Sequence, residues 1–534
     1  MSCPPNSTAE SEHGVQDTGV GNELFSVVSE VVTGTADLRP LESFDAEPRS
    51  ELSKSRRTAI ICLIIICNLI QYTSMFSTVA GGFEFSKKLG VEVGPGKANW
   101  MAAAYSLTQS AFVLISGRLG AVYGHQRLLI FGGLILVIFS LANAFCRTYT
   151  SFIAIRALTG IGGGILMPNA VAALTLMIPP GKTRNLTLAV FAASPPIGAW
   201  IGALIAGAVL EFTEWKWHFV VIACWGAVAV GCLFLVLPKE EPVDKGGQVD
   251  VVGAILGLGG LLLFSIAWNQ APSTGWSDAS AITPLILSIV LLTLFIIWSK
   301  SYTRSPIMPL SAFKAPSFNA LLLVVLFIYM SVGISLWYMV AWQQLIRGWT
   351  VLHVAVGWSP YGVGAAFAVV LAAWLVTIWE AQYILALGCA TSLASCALLA
   401  SMPEHQLYWK QVFPATVLGS LCPDFVYVAA QIIACGCVER HELGLAGSLI
   451  GTLNLYGNSL GLGFAGTIEG QVASASGDVE GMRAALWFGA SLAGAALVLD
   501  LVFVRMGLEE EHRDPDAPRS AQGSGDAGHG AVVL

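Results

Sequence analysis

Charged residues are scarce in this sequence. Only 11% of its 534 residues are Asp, Glu, Lys or Arg, whereas 55% are hydrophobic and the mean hydropathy is +0.70. A soluble chain of this length needs a more polar surface than that. The net charge of −7 is spread thinly over loops and tails. It therefore indicates no strongly charged partner, and in particular no nucleic acid.

The motifs of many enzymes and of nucleotide-driven pumps are missing as well. The sequence has no G-x-S-x-G, no G-x-x-x-x-G-K-[ST] and no His-rich cluster. Of its 11 cysteines, Cys435 and Cys437 form a C-x-C, and no second pair stands at metal-ligand spacing. We therefore expect no enzyme activity, no cofactor and no metal site, and we expect an ion gradient to drive any pumping.

Long apolar runs are abundant instead. Because a helix rises about 1.5 Å per residue, about 20 apolar residues cross the hydrocarbon core of a bilayer. Two of the predicted helices, 251–268 and 281–298, have the weakest signal, and twelve helices remain if both are left out. In full, the pattern predicts fourteen membrane helices, at residues 58–80, 98–117, 127–146, 150–177, 186–210, 217–237, 251–268, 281–298, 318–341, 354–378, 383–401, 411–434, 445–469 and 484–504.

The distribution of Lys and Arg predicts the orientation of these helices. An even number of helices places both tails on one side of the membrane. With the tails inside, the inner junctions hold 14 Lys and Arg residues and the outer loops hold 8. Such residues concentrate on the cytoplasmic side of membrane proteins. The sequence therefore predicts that both termini are cytoplasmic.

Arg156 is the most unusual residue within the apolar runs. It lies in IAIRALTGIGGGILMPNAVAAL, and placing an Arg at the centre of a membrane helix costs roughly 3 kcal/mol or more. Such a residue usually faces a polar interior that carries a solute or protons. The alternative is a fixed structural contact with a cluster of carbonyls. Helix 1 contains Asn68 and Gln71 but no acid, which excludes an ion pair between helices 1 and 4.

Asp424 is the second charged residue of interest. It lies about 20 Å into predicted helix 12, near the midplane of the bilayer, and Pro423 can kink the helix beside it. Because burial disfavours the charged form of a carboxylate, this position suits reversible protonation. The alternative is a static partner for a hydroxyl or backbone group.

Several neutral polar residues also fall within the predicted helices. Each can bind substrate or simply link two helices by a hydrogen bond, and the sequence does not decide between the two roles. Together with Arg156 and Asp424, the candidate pathway residues are Asn68, Gln71, Asn169, Gln431 and Asn454.

Aromatic residues crowd the outer part of helix 9. Trp337, Tyr338 and Trp342 stand there, and an aromatic belt at the membrane interface is a commoner explanation than a pocket wall. Glu469 and Asp500 fall near helix ends, so we expect both to be solvated.

Three segments resemble the major facilitator superfamily of membrane transporters. One is RALTGIGGG, which is similar to the superfamily's helix-4 Arg-x-x-x-Gly motif. The loop GRLGAVYGHQR resembles its signature gating loop, through Gly117, Arg118, Gly120, Gly124 and Arg127. The segment FAASPPIGAWIG resembles its helix-5 antiporter motif, through Pro195, Pro196, Gly198 and Gly202.

The signature loop departs from the superfamily pattern at one position. Ala121 stands where the superfamily has an Asp that helps to latch the inner gate. The resemblance therefore implies a weaker latch here, or one that is built differently with Arg118 and Arg127.

A closer resemblance runs from Asn99 to the end of helix 13. Segments such as NWMAAAYSLT, APSTGWSD and SPIMPLSAF look like the fourteen-helix drug:proton antiporter branch, and are similar to fungal aminotriazole-resistance and boron-efflux transporters. This implies an all-α polytopic membrane protein with the major facilitator fold, in which two six-helix bundles flank an inserted helix pair. The implied divisions are a disordered tail 1–57, a bundle 58–237, an inserted pair with a linker 238–317, a bundle 318–504 and a disordered tail 505–534.

The resemblance also implies a function. It predicts a secondary active transporter that exports a drug, toxin or fungal secondary metabolite in exchange for protons. Two alternatives remain, namely a facilitator or uptake carrier for a small polar solute such as ammonium or boric acid, and a non-transporting membrane sensor. The expected partners are a small-molecule substrate, protons and the lipid bilayer. We expect a monomer in the plasma membrane rather than in the vacuolar membrane.

Overall fold

The computed structural model describes residues 53–91, 94–179, 182–238, 242–303, 316–437 and 443–504. Within these ranges the secondary structure is helical and contains no β-strand. The predicted tails lie almost wholly outside the described residues, which begin at Ser53 and end at Val504.

Helices follow one another with short connections. The first part of the chain forms α1 (Lys54–Ala80), α2 (Gly82–Lys88), α3 (Pro95–Ala98), α4 (Trp100–Tyr123), α5 (His125–Asn143), α6 (Tyr149–Met177), α7 (Lys182–Phe212) and α8 (Lys216–Val236). A helix pair follows, α9 (Val251–Thr274) and α10 (Ala279–Ser301). The last part forms α11 (Pro316–Ala341), α12 (Val351–Gly357), α13 (Ser359–Leu375), α14 (Ala381–Ala400), α15 (Val412–Cys437), α16 (Leu443–Ser476) and α17 (Asp478–Phe503).

Twelve of the described helical segments are long and apolar enough to cross a membrane. The weakest predicted pair is among them, as α9 and α10. Two further helices, α4 with 24 residues and α16 with 34, are long enough but fall outside these twelve. Both pack in the interior, where α4 contacts α6 and α16. The fold is thus an all-α polytopic membrane fold, and a crossing by all fourteen helices stays a prediction.

Several helix boundaries differ from the predicted ones, as at the following three places. Helix α1 begins at Lys54, four residues before the predicted start, because the Ser53 side chain caps it by accepting the Arg56 backbone N–H. The predicted helix 354–378 is broken at Trp358 into α12 and α13, and Pro360 stands in the first turn of α13. The predicted helix 445–469 continues as α16 to Ser476.

The bundle has two ends that can be named by their contacts. At the Arg118 end, Arg118 Nη1 lies 2.8 Å from Asp244 Oδ2, and Arg56 Nε donates to Val236 O at 2.9 Å. At the Trp337 end, Trp337 Nε1 donates to Pro95 O at 3.1 Å. The predicted orientation places the Arg118 end in the cytoplasm.

The helix-5 motif lies in α7, where it packs against α1. Pro195 and Pro196 are accommodated inside the continuous helix. A Cβ atom at Gly198 would stand 2.8 Å from Leu69 O, and one at Gly202 would overlap Thr73 O. Only glycine therefore permits this approach of α7 to the α1 backbone, which fixes one wall of the bundle interior.

Candidate functional site

A cavity of about 760 Å³ lies between the first and last parts of the chain. Its walls come from α1, α4, α6 and α7 on one side and from α11, α13, α15 and α16 on the other. The lining extends to Arg118 and Gln248 at the Arg118 end, and it stops at Phe76 and Leu336 before the Trp337 end. The cavity therefore opens toward the Arg118 end.

The structure brings about half of the predicted site residues to this cavity. The lining includes Asn68, Gly117, Arg118, Pro195, Pro196, Asp424, Gln431 and Asn454. The predicted residues outside the lining are Gln71, Gly120, Gly124, Arg127, Arg156, Asn169, Gly198 and Gly202.

Asp424 lies near the middle of α15, partly buried and facing the cavity. Pro423 stands inside the same helix, and Pro423 O accepts a hydrogen bond from Tyr329 Oη at 2.9 Å. No hydrogen bond or ion pair with another described residue engages the Asp424 carboxylate. The cavity thus contains a carboxylate that is free to meet a proton or a ligand.

Three tyrosines line the cavity together with this carboxylate, and the sequence analysis missed them. Tyr329 on α11 and Tyr361 on α13 lie within electrostatic range of Asp424 and line the same cavity. Tyr427 follows Asp424 by three residues on α15 and also lines the cavity. The helical spacing of Asp424 and Tyr427 is a signal that the sequence does contain, because residues three apart share a helix face. Tyr329 and Tyr361 become neighbours of Asp424 only through tertiary packing.

Arg156 is fully buried, but in a different place. Its guanidinium donates to Ser74 Oγ at 2.9 Å, to Ser74 O at 2.8 Å and to Thr78 Oγ1 at 3.1 Å, all on α1. It also lies over the Tyr105 ring, 4.8 Å from the centroid. The structure therefore shows the fixed contact with carbonyl and hydroxyl groups that was the alternative to a pathway role, and it shows no acidic partner among the described residues.

The neutral polar candidates form hydrogen bonds with neighbouring residues. Asn68 Nδ2 donates to Ser194 Oγ at 2.7 Å, and Gln71 Nε2 donates to Asn68 Oδ1 at 3.1 Å. The first of these bonds connects α1 with α7 beside the cavity, and the second lies within α1. In the last part of the chain, Gln431 Nε2 donates to Gly447 O at 3.1 Å.

Asn454 and Asn169 are held in comparable ways. Asn458 Nδ2 donates to the backbone oxygen of Asn454 at 2.7 Å and to its side-chain Oδ1 at 3.3 Å. Asn169 Oδ1 lies 2.9 Å from His125 Nδ1 behind the signature loop. A Cβ atom at Gly120 would overlap both of the latter side chains, so the loop's glycine makes room for this contact.

The signature loop obtains its acid from elsewhere in the chain. Arg118 pairs with Asp244, and the Asp244 backbone N–H donates to Ala121 O at 2.9 Å. Arg118 also donates to Gln248 O, at 3.3 Å from Nε and 3.1 Å from Nη2. The segment after α8 thus supplies a carboxylate to Arg118 of the signature loop, which has Ala121 at its usual acidic position. Arg127 takes no part in these bonds and is exposed at the start of α5.

The Trp337 end is closed by aromatic packing. Trp337 stacks on Phe83 with ring centroids 4.6 Å apart, and Trp337, Tyr338 and Trp342 are almost fully buried. The expectation of an interfacial aromatic belt is therefore wrong for these three residues, because all three are buried inside the bundle and Trp337 packs against Phe83 of α2. Glu469 is also buried, at 6% exposure, against Gly96 of α3.

Asp500 is buried too, at 1% exposure on α17. The expectation that Glu469 and Asp500 are solvated is therefore wrong. Sequence distance from a helix end does not report what packs around that end.

The described helices thus form a polytopic membrane fold with a one-sided cavity between its first and last parts, an arrangement typical of carriers. A family model described as Major Facilitator Superfamily matches residues 59–404. The chain belongs to this superfamily, and it is a multi-pass membrane transporter rather than an enzyme.

The chain is similar to several fungal transporters. It is 30% identical to the major facilitator superfamily multidrug transporter mdr3 of Aspergillus fumigatus, over 78% of this chain and 74% of that protein. It is 28% identical to the low affinity ammonium transporter of Saccharomyces cerevisiae, over 85% and 89%. It is also 28% identical to the aminotriazole resistance protein of the same yeast, over 76% of each. The predicted resemblance to aminotriazole-resistance transporters is thereby confirmed.

A solved structure shows the same fold. A POT family transporter, crystallised in complex with 5-aminolevulinic acid, matches with a TM-score of 0.62 over 83% of this chain and 94% of that one. Its sequence identity of 14% supports the fold alone.

Proposed function

We propose that the protein is a secondary active exporter, which moves a small organic compound out of the cytoplasm in exchange for protons. The observation that carries this proposal is the unpartnered Asp424 carboxylate in a cavity that opens at the Arg118 end. A carboxylate without a fixed partner can bind and release a proton, as a proton-coupled carrier requires.

The direction of transport follows from the predicted orientation. If the Arg118 end is cytoplasmic, the cavity loads from the cytoplasm, and release requires the Trp337 end to open. The two parts of the chain would rock about the cavity, as in other carriers of this architecture. We include in the proposal a monomer in the plasma membrane, with both termini cytoplasmic. The similarity to a multidrug transporter supports export.

The energy source follows from chemistry. The sequence contains no nucleotide-binding loop, so an ion gradient is the source that remains. In the proposed cycle, Asp424 takes a proton from outside when the Trp337 end is open. It releases that proton to the cytoplasm when the Arg118 end is open.

The test is export from cells or vesicles that carry the Asp424→Asn variant. Asn keeps the size of the side chain but cannot carry the proton, so gradient-driven export should be lost while the amount of protein in the membrane is unchanged. The matched control is Asp278→Asn, the same change at an acid that is exposed and outside the cavity. Full export by the Asp424→Asn variant would rule out the proton-carrier role.

A second candidate function is transport of a small polar solute such as ammonium or boric acid without obligatory proton exchange. The similarity to a low affinity ammonium transporter favours it. Flux of ammonium or boric acid that persists after a protonophore collapses the proton gradient would support this candidate. Flux of an organic compound that the protonophore abolishes would support the exporter.

A further inference from the structure

We propose that the cavity selects organic cations of drug size, which pair their positive group with Asp424 and lay their apolar parts against the walls. This inference rests on the proposed function, because it names the substrate class of the same site. It concerns binding, so it can be tested without a proton gradient.

The first argument is the charge inside the cavity. Of the described lining residues, Asp424 is the single charged one at the depth of Asn68 and Tyr329, and the other charged residues, Arg118 and Asp250, lie at the mouth. Arg118 is already paired with Asp244 at 2.8 Å. A carboxylate in such a place needs a compensating positive charge, which a proton or a cationic ligand can supply.

The position of Arg156 strengthens this argument. This buried cation lies outside the lining and points its guanidinium at Ser74 and Thr78. It therefore does not neutralise Asp424, and it offers no fork of donors to an anionic ligand in the cavity. Among the described lining residues, the ionised form of Asp424 is therefore the source of negative charge in the inner part of the cavity.

The second argument is the surroundings of the carboxylate. Tyr329, Tyr361 and Tyr427 line the cavity beside Asp424, and aromatic rings attract cations. The Tyr329 hydroxyl donates its hydrogen bond to Pro423 O, so it does not donate to Asp424. The site thus combines a partly buried carboxylate with aromatic rings, an arrangement that suits a weakly hydrated organic cation.

The third argument is size. Pockets for drug-sized ligands measure about 300–1,000 Å³, and the cavity measures about 760 Å³. Phe76, Met167 and Phe191 are among the apolar residues that line it. An ammonium ion alone would leave these apolar walls in contact with water, whereas a larger organic cation covers them.

The experiment compares two probes of nearly equal shape and opposite charge. Tetraphenylphosphonium and tetraphenylborate would be bound to the purified full-length protein in detergent, and their affinities measured by equilibrium dialysis. We expect the cation to bind at least tenfold more tightly than the anion. The Asp424→Asn variant should lose this preference, the Asp424→Glu variant should retain it, and the control Asp278→Asn should bind like the unchanged protein.

Two results would overturn the inference. One is equal binding of both probes, or tighter binding of the anion, by the unchanged protein. The other is a cation preference that survives in Asp424→Asn protein which elutes as a single species. If the preference is found but export does not need the proton gradient, the substrate class stands and the proton exchange fails. If export needs the gradient but the preference is absent, the exporter stands and the substrate class fails.

Discussion

Two charged residues within the membrane helices, Arg156 and Asp424, have opposite surroundings. Arg156, in the first part of the chain, is fully buried and bonded to Ser74 and Thr78. Asp424, in the last part, is partly exposed to the cavity and has no partner among the described residues. A charge whose burial is offset by fixed bonds stabilises the fold, whereas a charge left without bonds is available to a ligand or a proton.

This comparison predicts opposite effects on stability. Removing a bonded charge leaves its partners unsatisfied, while removing an unpaired charge relieves a cost. Substitution of Asp424 should reduce transport more than substitution of Arg156, since the cavity lining contains Asp424 and not Arg156.

The largest effect on stability should come from Arg156→Met. The substitution keeps much of the apolar volume but removes the three hydrogen bonds that Arg156 donates to Ser74 Oγ, Ser74 O and Thr78 Oγ1. We expect a loss of about 3 kcal/mol, seen as a lower midpoint of thermal unfolding in detergent. Arg156→Lys should recover part of the loss, because one ammonium can reach part of the same oxygen set. An unchanged midpoint in Arg156→Met protein would show that these bonds do not stabilise the bundle.

Asp424→Asn should shift the same midpoint in the other direction. The substitution removes an unpaired carboxylate and breaks no hydrogen bond that the structure shows. We expect a gain of about 1 kcal/mol at neutral pH, measured beside the unchanged protein in the same detergent. A marked destabilisation would mean that Asp424 has a structural partner, and the contrast with Arg156 would be lost.

A smaller effect should follow from Asp244→Asn at the cavity mouth. The ion pair between Arg118 and Asp244 has side chains that are 42% and 43% exposed, so its loss costs at most about 1 kcal/mol. The segment that it anchors should loosen, and a cysteine placed by Gln248→Cys should react severalfold faster with a polar thiol reagent. The matched control is Glu214→Gln, which removes an exposed ion pair with Lys216. Equal labelling rates in both variants would show that Asp244 does not hold this segment.

The smallest effect should come from Tyr361. Tyr361→Phe keeps the ring and should bind tetraphenylphosphonium normally, whereas Tyr361→Leu should weaken binding by about threefold, which corresponds to the lower range of a cation–aromatic contact. The measurement is the equilibrium dialysis described above. If the Leu variant binds as well as the Phe variant, the ring does not contribute and Asp424 acts alone.

Much of the fold could be predicted from the sequence, because membrane helices are local features. Hydrophobic length placed most helix ends within a few residues, and the break at Trp358 was missed because membrane helices often tolerate a Pro such as Pro360. The cavity position of Asp424 was also predictable, because a carboxylate deep in an apolar helix usually faces the interior of the bundle or a water-filled cavity. The hydrogen-bond partners of Arg156 could not be predicted, because the composition of α1 does not show which of its carbonyl and hydroxyl groups face Arg156.

The contacts between distant segments could not be predicted. Asp244 replaces the acid that the signature loop lacks at Ala121, although more than a hundred residues separate it from that loop. Trp337 closes one end of the bundle, although its position near a helix end is typical of an interfacial belt. Both findings depend on how helices pack.

The sequence by itself determined the class of this protein. Its apolar runs, its motifs and its scarce charges decide that it crosses a membrane, because hydrocarbon tolerates only backbone that is satisfied within helices. Only the tertiary structure decided what each polar residue does. A buried charged side chain can form hydrogen bonds or face a cavity. Which of the two occurs depends on how the neighbouring helices are rotated and which residues they contact, and packing across the whole bundle decides both.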